Sequence, residues 1–223
     1  MGYYQAHHGH HCSKILQYVG EAAAKGHKTV LSFSDSCGGQ NKNRFFFAMM
    51  LFASAKYNIV FQHTFLEPGH TQNENDSIHA RIESGAKLKE LFDVDEWIEL
   101  IESAKQEEPM YEVKLLKRTD ILDFHKLVDE HQQWATDTEG KKIAWSKVKI
   151  LRADPSQVGV LFFKYSYDGE EMSMNTKKSV PGRPFKLKGH KLLPAYPGKL
   201  PIPQKKINHL SKLSGFGNSF KIP

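Results

Sequence analysis

Between residues 29 and 85 short β-branched runs alternate with capped helical stretches, and this order restricts the fold more than any other feature of the chain. Thr29 to Phe33 (TVLSF) is an apolar, β-branched and aromatic run that reads as a buried strand, stopping at Ser34-Asp35-Ser36-Cys37-Gly38-Gly39. Asn41 or Asn43 then offers an N-cap for a strongly apolar helix to about Tyr57. Asn58 to Leu66 (NIVFQHTFL) forms a second strand, closed by Pro68-Gly69. Thr71, with Glu74 three residues later, makes a capping box for a further helix, and Gly85 is its expected stop. Upstream, Ser13 to Lys25 places Ile15, Leu16, Val19 and Ala23 on one helical face before Gly26, while residues 1–12 read as turn-like. Strand, helix, strand, helix predicts a parallel pair joined by a crossover helix, the half-unit of an α/β sheet.

Beyond about Phe92 the texture changes. An acidic helix is expected over Asp95 to Ala104, a strand over Met110 to Leu116, a helix over Asp120 to Gln133, and strands over Ile143 to Leu151 and Val158 to Tyr167. The expected division is residues 1–108, 109–171 as a smaller α+β or β-rich domain, and 172–223 as a basic, Pro-containing tail. Ile202 to Leu213 is the one stretch of that tail with the pattern of a helix. From Met172 onward there are eleven Lys or Arg and no Asp or Glu, against 20 basic and 25 acidic residues before it. Such a tail suits contact with a phosphate backbone, and equally suits a solvated segment. The longest apolar stretch, Phe45 to Ala55, is far shorter than the roughly 20 residues that span a bilayer, so an intracellular protein with no membrane partner is expected. Two cysteines, Cys12 and Cys37, exclude a disulfide framework.

Asp35 follows a strand directly, at the sheet edge where α/β folds put their chemistry; alone, it reads as readily as an Asx-turn. The helix after Thr71 carries Asp76, His79 and Glu83 at i, i+3 and i+7, on one face, which is either a ligand-bearing stripe or a solvated side. Carboxylates brought together from a strand end and a helix are hard oxygen ligands suited to Mg²⁺ or Mn²⁺. Two such ions activate a water or 3′-hydroxyl and stabilise the leaving oxygen at a phosphodiester.

The stretches SDSCGGQNKN (34–43) and PGHTQNENDSIH (68–79) resemble the two signatures of a transposase-derived, DDE-type RNase H-like (integrase-like) family of eukaryotic mobile elements. The similarity extends through Glu96-Trp97, Trp145 to Leu151 and Pro201 to Leu213. The resemblance implies a partial RNase H-like core with Asp35 as second and Asp76 as third carboxylate of a triad, 40 residues lying between them, and Glu83 competing for the third place. Gln40, Asn41 and Lys42 would contact DNA or brace the loop, and His70 and His79 would position phosphate or water; capping and turn roles fit each of them as well.

In such folds the first carboxylate lies on a strand upstream of this region, and no Asp or Glu occurs before Glu21. The expectation is a fragment lacking its first ligand, whose ancestral metal-dependent DNA cleavage and transfer is lost. Where the family has an acidic, Gly- and Asn-containing stretch, this chain has His7-His8-Gly9-His10-His11-Cys12, read as an adventitious metal binder. Arg183, Lys186 and Lys188, with Phe185, Tyr196 and Lys199 nearby, are the tail residues suited to tracking DNA, while packing of Phe185 and Tyr196 against the second domain fits equally well. A nuclear protein follows, with a homo-oligomer open. The alternatives are a domesticated, non-enzymatic DNA-binding or assembly module using the basic tail, and a nonfunctional product with an exposed apolar half-sheet.

Overall fold

The computed structural model describes residues 2–36, 41–67, 74–87, 89–131, 133–177 and 191–213, with the backbone alone for 2–10, 74–75 and 209–213. Helix α1, Gly2–Ala24, is followed by strand β1, Thr29–Ser34, helix α2, Arg44–Tyr57, and strand β2, Val60–Phe65. Helices α3, Glu74–Ala86, α4, Val94–Ser103, and α5, His125–Glu130, precede strands β3, Ile150–Ala153, β4, Val160–Lys164, and β5, Met172–Asn175; α6, Gln204–Leu213, comes last. One five-stranded sheet runs in the order β1-β2-β3-β4-β5.

The expected parallel pair is present: β1 and β2 run parallel from Thr29↔Val60 to Ser34↔Phe65, with α2 as the crossover. Asn43, not Asn41, caps α2, its side chain accepting from Phe46 N at 3.0 Å; Asn58 closes the helix in the left-handed region at φ 53°. Every residue from Phe46 to Ala55 is buried, so α2 is apolar all round because α1, α5 and the sheet enclose it. Each buried Phe or Met in this run contributes about 1.5–3 kcal/mol of transfer free energy.

Several expectations are corrected. Residues 2–12 are helical rather than turn-like: with no proline before Pro68, the helix nucleated by the apolar Ser13–Ala24 stripe propagates upstream at little cost. It ends where Gly26 takes φ +88°, a conformation glycine adopts without strain. Gly85 lies inside α3 rather than stopping it, because Leu100 of α4 packs over the bare backbone there; a Cβ would sit 3.1 Å from Leu100 Cδ1. Thr71 lies outside the described residues. Met110 to Leu116 is irregular: among the described residues no strand pairs with it, and Val113 N donates to the Glu102 carboxylate. The helix expected over Asp120 to Gln133 shrinks to a 3₁₀ turn at Arg118–Asp120 and the six residues of α5. Residues 143–149 are not strand, since Trp145–Lys147 turns to stack Trp145 on Phe47 at 4.7 Å. The Asp95 to Ala104 helix is found as α4, with a capping box between Asp93 and Glu96.

The C-terminal strands continue the sheet of the first: β2 pairs antiparallel with β3 (Phe61↔Ala153), so the division expected at residue 109 does not divide the sheet. The β3–β4 and β4–β5 pairs are also antiparallel, which makes the fold mixed α/β with a mostly antiparallel sheet. β5 opens the segment expected as tail, so Met172 to Asn175 belong to the sheet and Met174 to the core. One face of the sheet, carrying Val30, Phe61, His63, Phe65, Leu151, Ala153, Leu161, Phe163 and Met174, is buried, with α2 packed against β2, β3 and β4. Cys12 is buried there, and burial pushes its thiol up to about 12, leaving it unreactive. None of the described helices is long and apolar enough to cross a membrane.

Candidate functional site

The C-terminal ends of the parallel strands form a rim where side chains from α1, β1, β2 and the start of α2 meet. On β2 the alternation that buries Phe61 and Phe65 also buries His63, between Phe46 and Phe65 at ring centroid distances of 4.6 Å each. Its nitrogens meet two hydroxyls of the neighbouring strand, Nδ1 facing Ser32 Oγ at 2.6 Å and Nε2 facing Ser34 Oγ at 2.9 Å. Ser34 Oγ donates its one proton to the Asp35 carbonyl at 2.8 Å, so it accepts from His63 Nε2–H, and Ser32 donates to Nδ1 at 2.6 Å in preference to Gln62 O, which lies at 3.5 Å. This bond pattern assigns the Nε2–H tautomer. Burial, with His11 and Lys42 nearby, pushes His63 down to about 3, so the ring is neutral at physiological pH.

Asp35 stands one residue past β1, exposed. Asn41, 6% exposed, donates from Nδ2 to Asp35 Oδ1 at 2.7 Å, holding the carboxylate from the protein side. His11 of α1 hydrogen-bonds Asn41 and stacks on Phe46 at 6.2 Å; partial burial holds it below its ordinary value. Lys42 Nζ lies 4.6 Å over the Phe65 ring and donates to Ser146 O at 3.2 Å. Burial, then the neighbouring Lys149, lowers its affinity for a proton. Lys149 itself pairs with Glu67 at 3.1 Å. Ser36 Oγ ties the loop after β1 to the end of β2 through Leu66 O at 2.8 Å.

The structure gathers Asp35, Asn41 and Lys42 at one rim. Asp76, His79 and Glu83 lie exposed along α3. Gln40, His70, Arg183, Lys186 and Lys188 lie outside the described residues. Among the described residues no group of three or more His, Cys, Asp or Glu side chains is placed to hold a metal ion. The described carboxylates that the resemblance implies as ligands of Mg²⁺ or Mn²⁺ do not form such a group of three. Sequence reasoning missed His63 and read His11 only as part of the histidine cluster before Cys12. The signal for His63 was present: it shares the strand parity of Phe61 and Phe65 in NIVFQHTFL.

A second buried histidine, His131, meets Thr176 Oγ1 at 2.6 Å, and Thr176 donates to Gly159 O at 2.8 Å. Burial, then Lys177, pushes it down to about 4. It ties the segment after α5 to the end of β5, far along the sheet from Asp35, and reads as a structural post.

No curated protein and no solved structure matches this chain. The family described as a domain of unknown function, DUF8701, matches residues 6–143, which include α1 from Ala6 onward, the parallel pair and, at the rim, His11, Asp35, Asn41, Lys42 and His63. The chain is a member of the DUF8701 family.

Proposed function

We propose that this chain descends from the catalytic core of a DDE-type, RNase H-like transposase and keeps the rim of a metal-carboxylate site without cleaving DNA as it stands. The observation that supports this reading is the placement of Asp35: next after a strand of a parallel pair, held by a buried asparagine at 2.7 Å, with Lys42 on the same loop. A carboxylate so fixed at the C-terminal end of parallel strands is where α/β sheets put ligand chemistry. Divalent ions, when bound at a complete site of this kind, activate the attacking oxygen and stabilise the leaving one. Asp35, with Asp76 or Glu83, supplies too few fixed ligands for two ions. On this reading the partner is DNA, the setting is nuclear, and the ancestral cofactor is Mg²⁺ or Mn²⁺. Titration with Mn²⁺ followed by electron paramagnetic resonance tests it. Weak binding that disappears in Asp35→Ala is expected, and tight binding that survives Asp35→Ala contradicts it.

A second reading, a non-enzymatic DNA-binding module, is favoured by α6, whose Lys205 and Lys206 are exposed in a segment with no acidic residue after Glu171. It predicts salt-dependent duplex binding that survives Asp35→Ala and Asp76→Ala and weakens in Lys205→Glu/Lys206→Glu. Charge reversal in the full chain is the sound test, because deletion from Met172 would remove β5 and the Leu122↔Pro194 bridge with it.

A further inference from the structure

The two edges of the sheet are treated differently. The outer edge of β5 is covered: Thr138 N donates to Ser173 O at 3.0 Å, and Gln133 N to Thr176 O at 3.1 Å. β1, at the other edge, pairs with β2 alone among the described residues. Edge strands are ordinarily protected by charge, proline or a bulge. Thr29–Ser34 (TVLSFS) carries no charge and no proline, and its register with β2 runs unbroken. Its inward residue Val30 is buried, while Leu31 and Phe33, on the opposite face of the sheet, are 58% and 61% exposed.

We propose that this edge pairs antiparallel with β1 of a second copy of the chain, forming a two-fold dimer whose sheet is continuous. An open strand edge dictates an extended occupant, and the strand's own sequence selects another copy of itself. In antiparallel register centred on Ser32, Leu31 of each copy lies opposite Phe33 of the other, which joins four exposed apolar side chains on one face. Opposed side chains in such a pair stand about 4.5–5.5 Å apart at Cβ. Lys28, exposed just before the strand, then comes to the end where Asp35 of the second copy lies, so opposite charges meet at both ends. Parallel pairing would instead set Lys28 beside Lys28 and Asp35 beside Asp35. The two-fold arrangement is also closed: each copy uses the one open edge found among its described residues, which leaves none for a third copy. This inference does not depend on the metal or DNA reading.

Light scattering after size exclusion on the full chain tests it, with the 25.5 kDa monomer as reference. The wild type is expected as a dimer that dissociates on dilution. Leu31→Lys and Phe33→Lys are each expected to weaken dimerisation by more than about tenfold. Both side chains are exposed, so the variants keep the wild-type circular dichroism spectrum. In a Cys37→Ser background, Leu31→Cys/Phe33→Cys is expected to crosslink into dimers on mild oxidation, while Tyr18→Cys, exposed on α1, does not. A wild type that stays monomeric at high concentration overturns the proposal, as do a dimer indifferent to both lysine variants, association beyond a dimer, and crosslinking at Tyr18→Cys but not at the β1 pair.

Discussion

Asn41 donates to Asp35 at 2.7 Å from a position that is itself buried, so the orientation of an exposed carboxylate is set by an amide inside the fold. Removing that amide leaves His11 and Asp35 without their shared partner. Asn41→Ala is expected to lower stability by about 1–3 kcal/mol in urea unfolding. Asn41→Asp, which sets a second carboxylate against Asp35, is expected to cost more. Equal stability for all three proteins would show that the bond contributes nothing.

Histidine burial gives the fold an acid-labile range. His63 and His131 are pushed down to about 3 and about 4, against the ordinary value of 6.5. A proton therefore binds the unfolded chain more readily. The stability that their neutral forms contribute is complete above about pH 6.5 and is lost as pH falls from there toward 3–4, with a slope of up to about 1.4 kcal/mol per pH unit for each ring. Unfolding free energy should fall between pH 7 and pH 5, and fall less steeply in His63→Phe. A stability that is flat across that range contradicts the burial of both rings as neutral groups.

Because β2 pairs with β3, the N-terminal crossover unit and the C-terminal strands should unfold together. Leu151 is fully buried at that junction. Leu151→Ala is expected to cost about 2–5 kcal/mol and to shift the whole transition, with tryptophan fluorescence and far-ultraviolet circular dichroism remaining coincident. Two separated transitions would mean two units rather than one.

Gly159 turns into β4 with φ +84°, and a Cβ there would overlap Lys177 Cε, whose Nζ bonds Val158 O at 2.8 Å. Gly159→Ala therefore meets backbone strain and a displaced lysine, and a loss of about 1–3 kcal/mol in thermal unfolding is expected. An unchanged midpoint would place the turn in a conformation that alanine accepts.

The crossover unit was legible because its signals are local: a β-branched run, the Asn43 cap, and a second strand of fixed parity. The Asp35 position was legible for the same reason. What the chain did not disclose is long-range. Nothing near Met110 to Leu116 reveals that no strand will pair with it, and nothing near Ile150 reveals that it will pair with Phe61's strand across some 90 intervening residues. His11 looked like part of a loose histidine cluster until α1 placed it beside Asn41. The TVLSF run looked buried on both faces, because composition cannot say that Leu31 and Phe33 lie on the face opposite α2.

The central claim, that Asp35 and Asp76 mark the descent of a strand-cleaving site rather than a working one, is tested most directly by incubating the purified chain with supercoiled plasmid in Mg²⁺ and in Mn²⁺. The plasmid is predicted to stay supercoiled with wild type and Asp35→Ala alike. Nicking by the wild type that is lost in Asp35→Ala would contradict the account.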